Sequence, residues 1–387
     1  MEEGHNQSSS EGSLISLMSN KVKTQGGINL AQGLPAFATP RGLLRELQHI
    51  LPTAVHQYPP SEGHPGLREY LRHRYHKRKL TDHQFIITQG ATEALSLCYN
   101  YLCSLTGGTL PTLAFDPAYE SFIHLPRIFR QPLVLHIPGS TGEPDFETLS
   151  NQIVQNHIRV IFVASPGNPL GHTLRRESWR RLFKLTAQHG IFLIADLVYD
   201  QLFFGQPQDI PFEEAHSGVF IVESFSKLYS ITGWRMGALG FHKEHFQGIK
   251  NTHDYTGLCA PSLLQEALYR YIHQQGDAAR RYIIRIRHQL SENYQLASSL
   301  LQKANFTVMP AQGGYFLWAQ LPPGIDDGLH FALELYDTTQ VAVVPGIHFS
   351  QGAHNFVRIN LARTHREISE GVMRMCQFIR KEYHGKH

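Results

Sequence analysis

Lys227 is the residue to which most of the chain's chemistry can be tied. It lies in Ser224-Phe225-Ser226-Lys227, directly after the apolar run Val219-Phe220-Ile221-Val222. A lysine at the carboxyl end of a buried strand sits where open α/β sheets collect ligands. Burial lowers its pKa, and the freed amine can attack a carbonyl to form a Schiff base. Ser224 offers a hydroxyl and Arg235 a fixed cation, both suited to a phosphate. Alone, such a lysine could equally be a solvated loop residue.

Other segments supply complementary groups. Thr88-Gln89-Gly90-Ala91-Thr92-Glu93 joins an apolar run to a helical one. Its glycine permits close approach to an anion, and the first helical N–H groups with the Thr92 hydroxyl can bind phosphate oxygens. A plain turn with Thr92 as helix cap would look the same. Asp196 follows Phe192-Leu193-Ile194-Ala195, placing a carboxylate at another strand end, where it could instead cap a helix. Arg358 stands inside Phe356-Val357-Arg358-Ile359-Asn360. A permanently charged guanidinium in an apolar strand is costly unless it meets a carboxylate, from a ligand or from an internal partner.

In their order along the chain, these segments resemble fold-type I pyridoxal 5′-phosphate (PLP) enzymes, specifically the class I/II aminotransferases of the aspartate, kynurenine and aminoadipate kind. Ser224, Ser226, Lys227 and Arg235 match the S-x-S/A-K…G-x-R pattern around the PLP lysine. The resemblance implies that Gly90, Ala91 and Thr92 hold the PLP phosphate together with Ser224, Ser226 and Arg235. It implies that Tyr119, in Asp116-Pro117-Ala118-Tyr119, lies against the pyridine ring. Asn168, in Ser165-Pro166-Gly167-Asn168-Pro169-Leu170-Gly171, and Tyr199, in Asp196-Leu197-Val198-Tyr199, would bond its phenolic oxygen. Asp196 would keep the ring nitrogen protonated so that the ring accepts electrons. Arg358, with Asn168 beside it, would take the substrate carboxylate, and Gly33 in Asn29-Leu30-Ala31-Gln32-Gly33-Leu34-Pro35 would be the close-approach residue of a segment passing over the substrate. Tyr58, in Tyr58-Pro59-Pro60-Ser61-Glu62-Gly63, would reach the PLP phosphate of a partner subunit, so a homodimer is implied. The chain departs from the family pattern at Leu170, where Thr is usual, at Leu197, where many relatives carry Glu, and at Ala36-Phe37, where an acidic residue is usual.

The implied reaction is a ping-pong transfer of an amino group from an L-amino acid to a 2-oxo acid. Lys227 serves as anchor and proton carrier, and Asp196 and Tyr199 assist. A β-lyase, a cyclopropane-forming synthase or an oxygen-dependent amino-acid oxidase would use the same machinery and differ in how the substrate carbanion is quenched. The Tyr58 motif and Gly313-Gly314-Tyr315-Phe316-Leu317-Trp318 also resemble the aminotransferase-like half of certain transcription regulators, but the residues before Ile28 are too few for a winged helix.

The elements that must position these residues follow from periodicity. Short continuous runs at Phe85-Ile86-Ile87-Thr88, Leu110 to Phe115, Val160 to Ala164, Phe192 to Ala195 and Val219 to Val222 suit strands buried on both faces, with helices between them. That predicts an α/β domain on a mostly parallel sheet, seven-stranded by the resemblance. Residues 274–305 read as one long helix; after it come runs at 306–308, 314–318, 341–344 and 356–360, and a closing helix over about 364–382, a smaller α+β domain. We expect residues 1–27 to be a flexible lead-in, 28–45 to contribute to the small domain and cover the site, 46–260 to form the large domain and 261–387 the small one.

Composition narrows the alternatives. Among 387 residues, 42% are apolar, 17% are charged and the formal net charge is +3, without a Lys/Arg run. This argues against a nucleic-acid surface. The four cysteines form no C-x-x-C pair, and the 24 histidines show no H-E-x-x-H, so no metal site is expected. Neither a signal-peptide pattern nor an apolar run of about 20 residues is present. A cytoplasmic protein with small-molecule partners is expected.

Overall fold

In the computed structural model, residues 13–53, 56–139 and 141–383 are described. The thirteen strands among them are β1 (Ile28–Asn29), β2 (His83–Thr88), β3 (Thr112–Phe115), β4 (Leu133–His136), β5 (Val160–Ala164), β6 (Phe192–Asp196), β7 (Val219–Ser224), β8 (Gly237–His242), β9 (Thr307–Val308), β10 (Phe316–Gln320), β11 (Val341–Ala342), β12 (Val344–Pro345) and β13 (Phe356–Asn360). β5, β6 and β7 are Val, Ile, Leu, Ala and Phe runs buried along almost their whole length. Strands apolar on both faces need cover on both faces, which the crossover helices provide.

Seven strands form one sheet in the order β2-β8-β7-β6-β5-β3-β4. Neighbours from β7 through β4 run parallel, while β8 is antiparallel to both β7 and β2. The carboxyl ends of β2, β3, β5, β6 and β7 therefore share one edge, and Arg235, just before the reversed β8, arrives at the same edge. β8 and β4 were not foreseen. The glycines of β8 resemble turn residues, yet they are required by close packing: a Cβ at Gly240 would stand 2.5 Å from the Phe85 ring, and one at Gly237 would stand 2.5 Å from the Gly90 carbonyl carbon.

A second sheet has the order β12-β13-β10-β9, all antiparallel, with Arg358 opposite Trp318 and Val344. The long helices Gly276–Gln302 and His365–Glu382 pack together beside it. The latter starts with a capping box between Thr364 and Glu367. The apolar run at 341–344 is not one strand but two: β11 pairs in parallel with β1, and β12 joins the second sheet. That pairing brings the segment after β1 back onto β13, where the Leu30 carbonyl accepts from the Asn360 N–H at 2.8 Å.

The expected flexible lead-in is corrected over Leu14–Gln25, which is a helix with Met18 buried at its packed face. Its polar exposed side hides a short apolar stripe (Ile15, Met18, Val22) that packs against the core. Residues 1–12 lie outside the described residues. Among the described residues, no helix is long and apolar enough to cross a membrane.

Beneath the shared strand edge lies a buried ionic cluster. Asp200 accepts from Arg74 at 3.0 Å and Arg78 at 2.6 Å, and Glu223 is bonded by the Tyr75 hydroxyl and lies 3.1 Å from Arg74. Gln208 Nε2 donates to Asp200 Oδ1 at 2.8 Å and to the Ser165 carbonyl at 2.7 Å. The loops after β5 and β6 are thereby tied to each other. Leu197 is buried in the apolar core; Asp196, Asp200 and Glu223 are the buried acids around it.

Candidate active site

A cavity of about 290 Å³ opens at the shared strand edge, between the large sheet and the second sheet. Lys227 is on its wall, on a one-turn helix, Phe225–Leu228, that begins where β7 ends. The Ser226 hydroxyl donates to the Met236 carbonyl and accepts from the Met236 N–H, both at 3.1 Å. The Tyr315 hydroxyl donates to the Lys227 carbonyl at 2.5 Å. These bonds fix the lysine's backbone, while its amine donates to the Gly33 carbonyl at 2.8 Å. A Cβ at Gly33 would stand 2.9 Å from the Phe316 ring, so only glycine brings that carbonyl so near. Burial, and then the nearby Arg358 and Arg235 charges, push the lysine pKa down to about 8.

Asp196 closes the opposite side. One oxygen accepts from the Val198 N–H at 3.1 Å, an Asx turn rather than a helix cap. Burial raises its pKa to about 7; the Val198 hydrogen bond opposes this, and the Glu223 charge adds to it. A carboxylate so desolvated is stabilised by a cation placed against it, such as a protonated ring nitrogen. Tyr199 is buried, its hydroxyl pushed upward mainly by desolvation, with its ring 5.3 Å from that of Tyr315.

Arg358 is 1% exposed and has no acidic partner within ion-pair distance among the described residues. Nη1 donates to Asn168 Oδ1 and Nη2 to the Ala31 carbonyl, each at 2.8 Å, and Nε is buried without a partner. Its plane lies over Phe316 at 4.0 Å and Phe349 at 4.7 Å. Burial lowers its pKa to about 10. Of the two sources of a carboxylate left open by the sequence, no internal one is found among the described residues, and the guanidinium lines the cavity without an acidic partner there.

At the other end, Gly90, at φ +84°, caps helix Ala91–Thr106, and a Cβ there would stand 2.6 Å from Arg235 Nη2. Ala91, Thr92, Ser224 and Arg235 line this end. Free helical N–H groups beside a guanidinium make an anion cradle. Tyr119 is half-buried on the wall, at the amino end of helix Glu120–Ile128. The cavity thus gathers all the expected residues except Gly90, which adjoins it, and Tyr58, which is 83% exposed elsewhere on the chain.

The sequence reading passed over several residues that build the site. Asn360 Nδ2 donates to the Gln32 and Leu34 carbonyls at 2.7 and 3.0 Å, strapping the Gly33 segment onto β13. Its place two residues after Arg358 was the available signal. Glu120 lines the wall immediately after Tyr119, and Phe316 covers Arg358. The residues present fit PLP: an anion cradle, a lysine amine, a carboxylate and two hydrogen-bonding side chains share one cavity. In cofactor-free protein, the rate of capture of added pyridoxal phosphate should rise with pH through an inflection near 8, where Lys227 loses its proton. An inflection near the ordinary lysine value of about 10.4 would contradict the burial argument.

The chain is 24% identical over 360 residues to a probable N-acetyl-LL-diaminopimelate aminotransferase of Bacillus subtilis, covering 92% of this chain and 90% of that one. It is 24% identical over 366 residues to an aspartate aminotransferase of Thermotoga maritima, covering 92% of each. The solved aspartate aminotransferase from Thermus thermophilus with maleate superposes with a TM-score of 0.87 over 95% of this chain and 97% of that one, at 22% identity, a likeness of fold. The family described as aminotransferase class I and II matches residues 25–375, and the chain belongs to it.

Proposed function

We propose that this aminotransferase holds pyridoxal 5′-phosphate on Lys227 and moves the amino group of an L-amino acid to a 2-oxo acid in a ping-pong cycle. The observation that carries the reading is the convergence of a buried lysine amine, a buried carboxylate and an unpaired buried guanidinium on one cavity. When bound, the cofactor would supply an aldehyde that takes up the amino group and a ring that accepts the electron pair left by the Cα proton. The protein's part is binding, orientation and proton movement.

Arg358 binds the α-carboxylate, with Asn168 fixing the guanidinium. This would orient the Cα–H bond toward Lys227, whose amine could take that proton and give it up again. Asp196 would hold the ring nitrogen protonated. Asn168 and Tyr199 would hold the phenolic oxygen, Tyr119 would lie against the ring, and Gly90, Ala91, Thr92, Ser224 and Arg235 would take the phosphate. Ser226 serves the same loop by fixing its backbone to Met236. Gly33 keeps the covering segment close to the lysine.

The proposed large domain spans residues 46–260 and the small one 261–387, with 28–45 as cover. The exposed ring of Tyr58 is consistent with a homodimer in which it reaches a partner's phosphate site; sedimentation showing only a monomer would remove that element. The four unpaired cysteines suit a reducing cytoplasm.

The test is a half-reaction. A panel of amino acids is mixed with the cofactor-loaded enzyme, and conversion of the bound cofactor to its amine form is followed with release of the 2-oxo acid. Ammonia release or oxygen uptake in place of that conversion would contradict transamination. Arg358→Gln should lower kcat/KM at least about thirtyfold, since removing one partner of a buried charge pair costs about 2–5 kcal/mol. An unchanged value would show that the carboxylate binds elsewhere.

A further inference from the structure

Cofactor binding and capture of the α-carboxylate leave several residues of the cavity wall without a role, among them Ile15, Leu34 and Glu120. Ser13, two residues before Ile15, donates its hydroxyl to Glu120 Oε1 at 2.8 Å. His348 Nε2, from the loop between β12 and β13, lies 3.0 Å from the same oxygen. The other oxygen, Oε2, has no hydrogen-bond partner among the described residues. Glu120 is thus held from both halves of the molecule, with acceptor capacity to spare.

The loop that carries it is itself docked across the cleft. The Ala118 N–H donates to the Phe349 carbonyl at 3.1 Å, and Ser350 Oγ donates to Asp116 Oδ2 at 2.6 Å. Phe349 in turn packs 4.7 Å from the Arg358 guanidinium. The position of Glu120 is therefore referred to the same segment that walls the carboxylate site. Burial opposes its ionisation, but the nearby His348 ring, the Ser13 hydroxyl and the Arg358 charge together hold its carboxyl below the ordinary range. It stays an anion.

Every cation of this chain that lines the cavity is already engaged, Lys227 with the amino group, Arg235 with phosphate and Arg358 with the α-carboxylate. Beside two apolar side chains, the charged group that remains on the wall for the end of a substrate side chain is the Glu120 carboxylate. We propose that Glu120, positioned by Ser13 and His348, is the specificity residue of this enzyme, selecting amino acids whose side chain ends in a hydrogen-bond donor, an ammonium or a carboxamide, and rejecting dicarboxylates. The inference rests on the aminotransferase reading and deepens it. Like charges juxtaposed in a closed site repel, and a site built to accept a hydrogen bond discriminates strongly against a group that cannot donate one. Repulsion of the wrong substrate contributes as much as attraction of the right one.

The experiment uses the cofactor-loaded enzyme and three probes, glutamine, ornithine and glutamate, each followed by conversion of the bound cofactor to its amine form. In the wild type, kcat/KM for glutamine and for ornithine should exceed that for glutamate by at least about tenfold. In Glu120→Gln, which keeps the size and can still accept from Ser13, that preference should shrink about tenfold or vanish, with ornithine losing most. A wild type that prefers glutamate, or a Glu120→Gln ratio equal to the wild-type ratio, would overturn the assignment while leaving the aminotransferase reading intact. Failure of all amino acids in the wider panel to convert the cofactor would overturn both. The wild-type ratio needs no variant, so a Glu120→Gln protein that fails to fold does not protect the proposal.

Discussion

A lysine amine can attack a carbonyl at neutral pH only if its positive form is made costly, and the structure around Lys227 is organised to do that. The amine is removed from water, donates its hydrogen bond to a neutral carbonyl, that of Gly33, and shares its cavity with two guanidinium groups. Among the described residues, no acid is paired with it. The result is an amine whose pKa falls to about 8. The remaining features follow from the need to bury this group at one defined place: the short helix after β7, the Ser226 bonds to Met236, the Tyr315 bond to the lysine carbonyl and the glycine at position 33.

The same cavity is divided by charge. Arg358 and Arg235 occupy separate ends, and the Gly90 cradle lies beside the latter; each end awaits an anion. Asp196 and Glu120 are the acids on the wall, one raised by burial and the other held down by hydrogen bonds. A molecule with two anionic groups and a basic ring nitrogen between them matches that division. A parallel sheet makes it possible, because its strands deliver chemically different loops to one edge. The ionic cluster of Arg74, Arg78, Asp200 and Glu223 holds two of those loops in register through Gln208.

Much of this was legible in the residues. β5 is the run Val160 to Ala164 that the sequence suggested, and β13 is Phe356 to Asn360. Such strands are readable because burial on both faces demands unbroken apolar runs. β8 was hidden, since its glycines answer to neighbours from other strands, Phe85 and Gly90, which no local pattern displays. The helix Leu14–Gln25 was hidden because only a narrow stripe of it is apolar. The apolar run at 341–344 gave no sign that its two halves join different sheets. At the site, residue types and order pointed to Lys227, Asp196 and Arg358. That Arg358 lacks an internal acid, and that Glu120 meets Ser13 and His348, are facts of tertiary contact, invisible before the chain is folded.

The central claim is that one lysine, among all the amines of the chain, is the cofactor's anchor. The direct test is to treat the pyridoxal phosphate-loaded protein with borohydride, digest it and locate the phosphopyridoxyl group by mass spectrometry. The account predicts one modified residue, Lys227, at close to full occupancy. Modification at another lysine, or no stable adduct at Lys227, would contradict it.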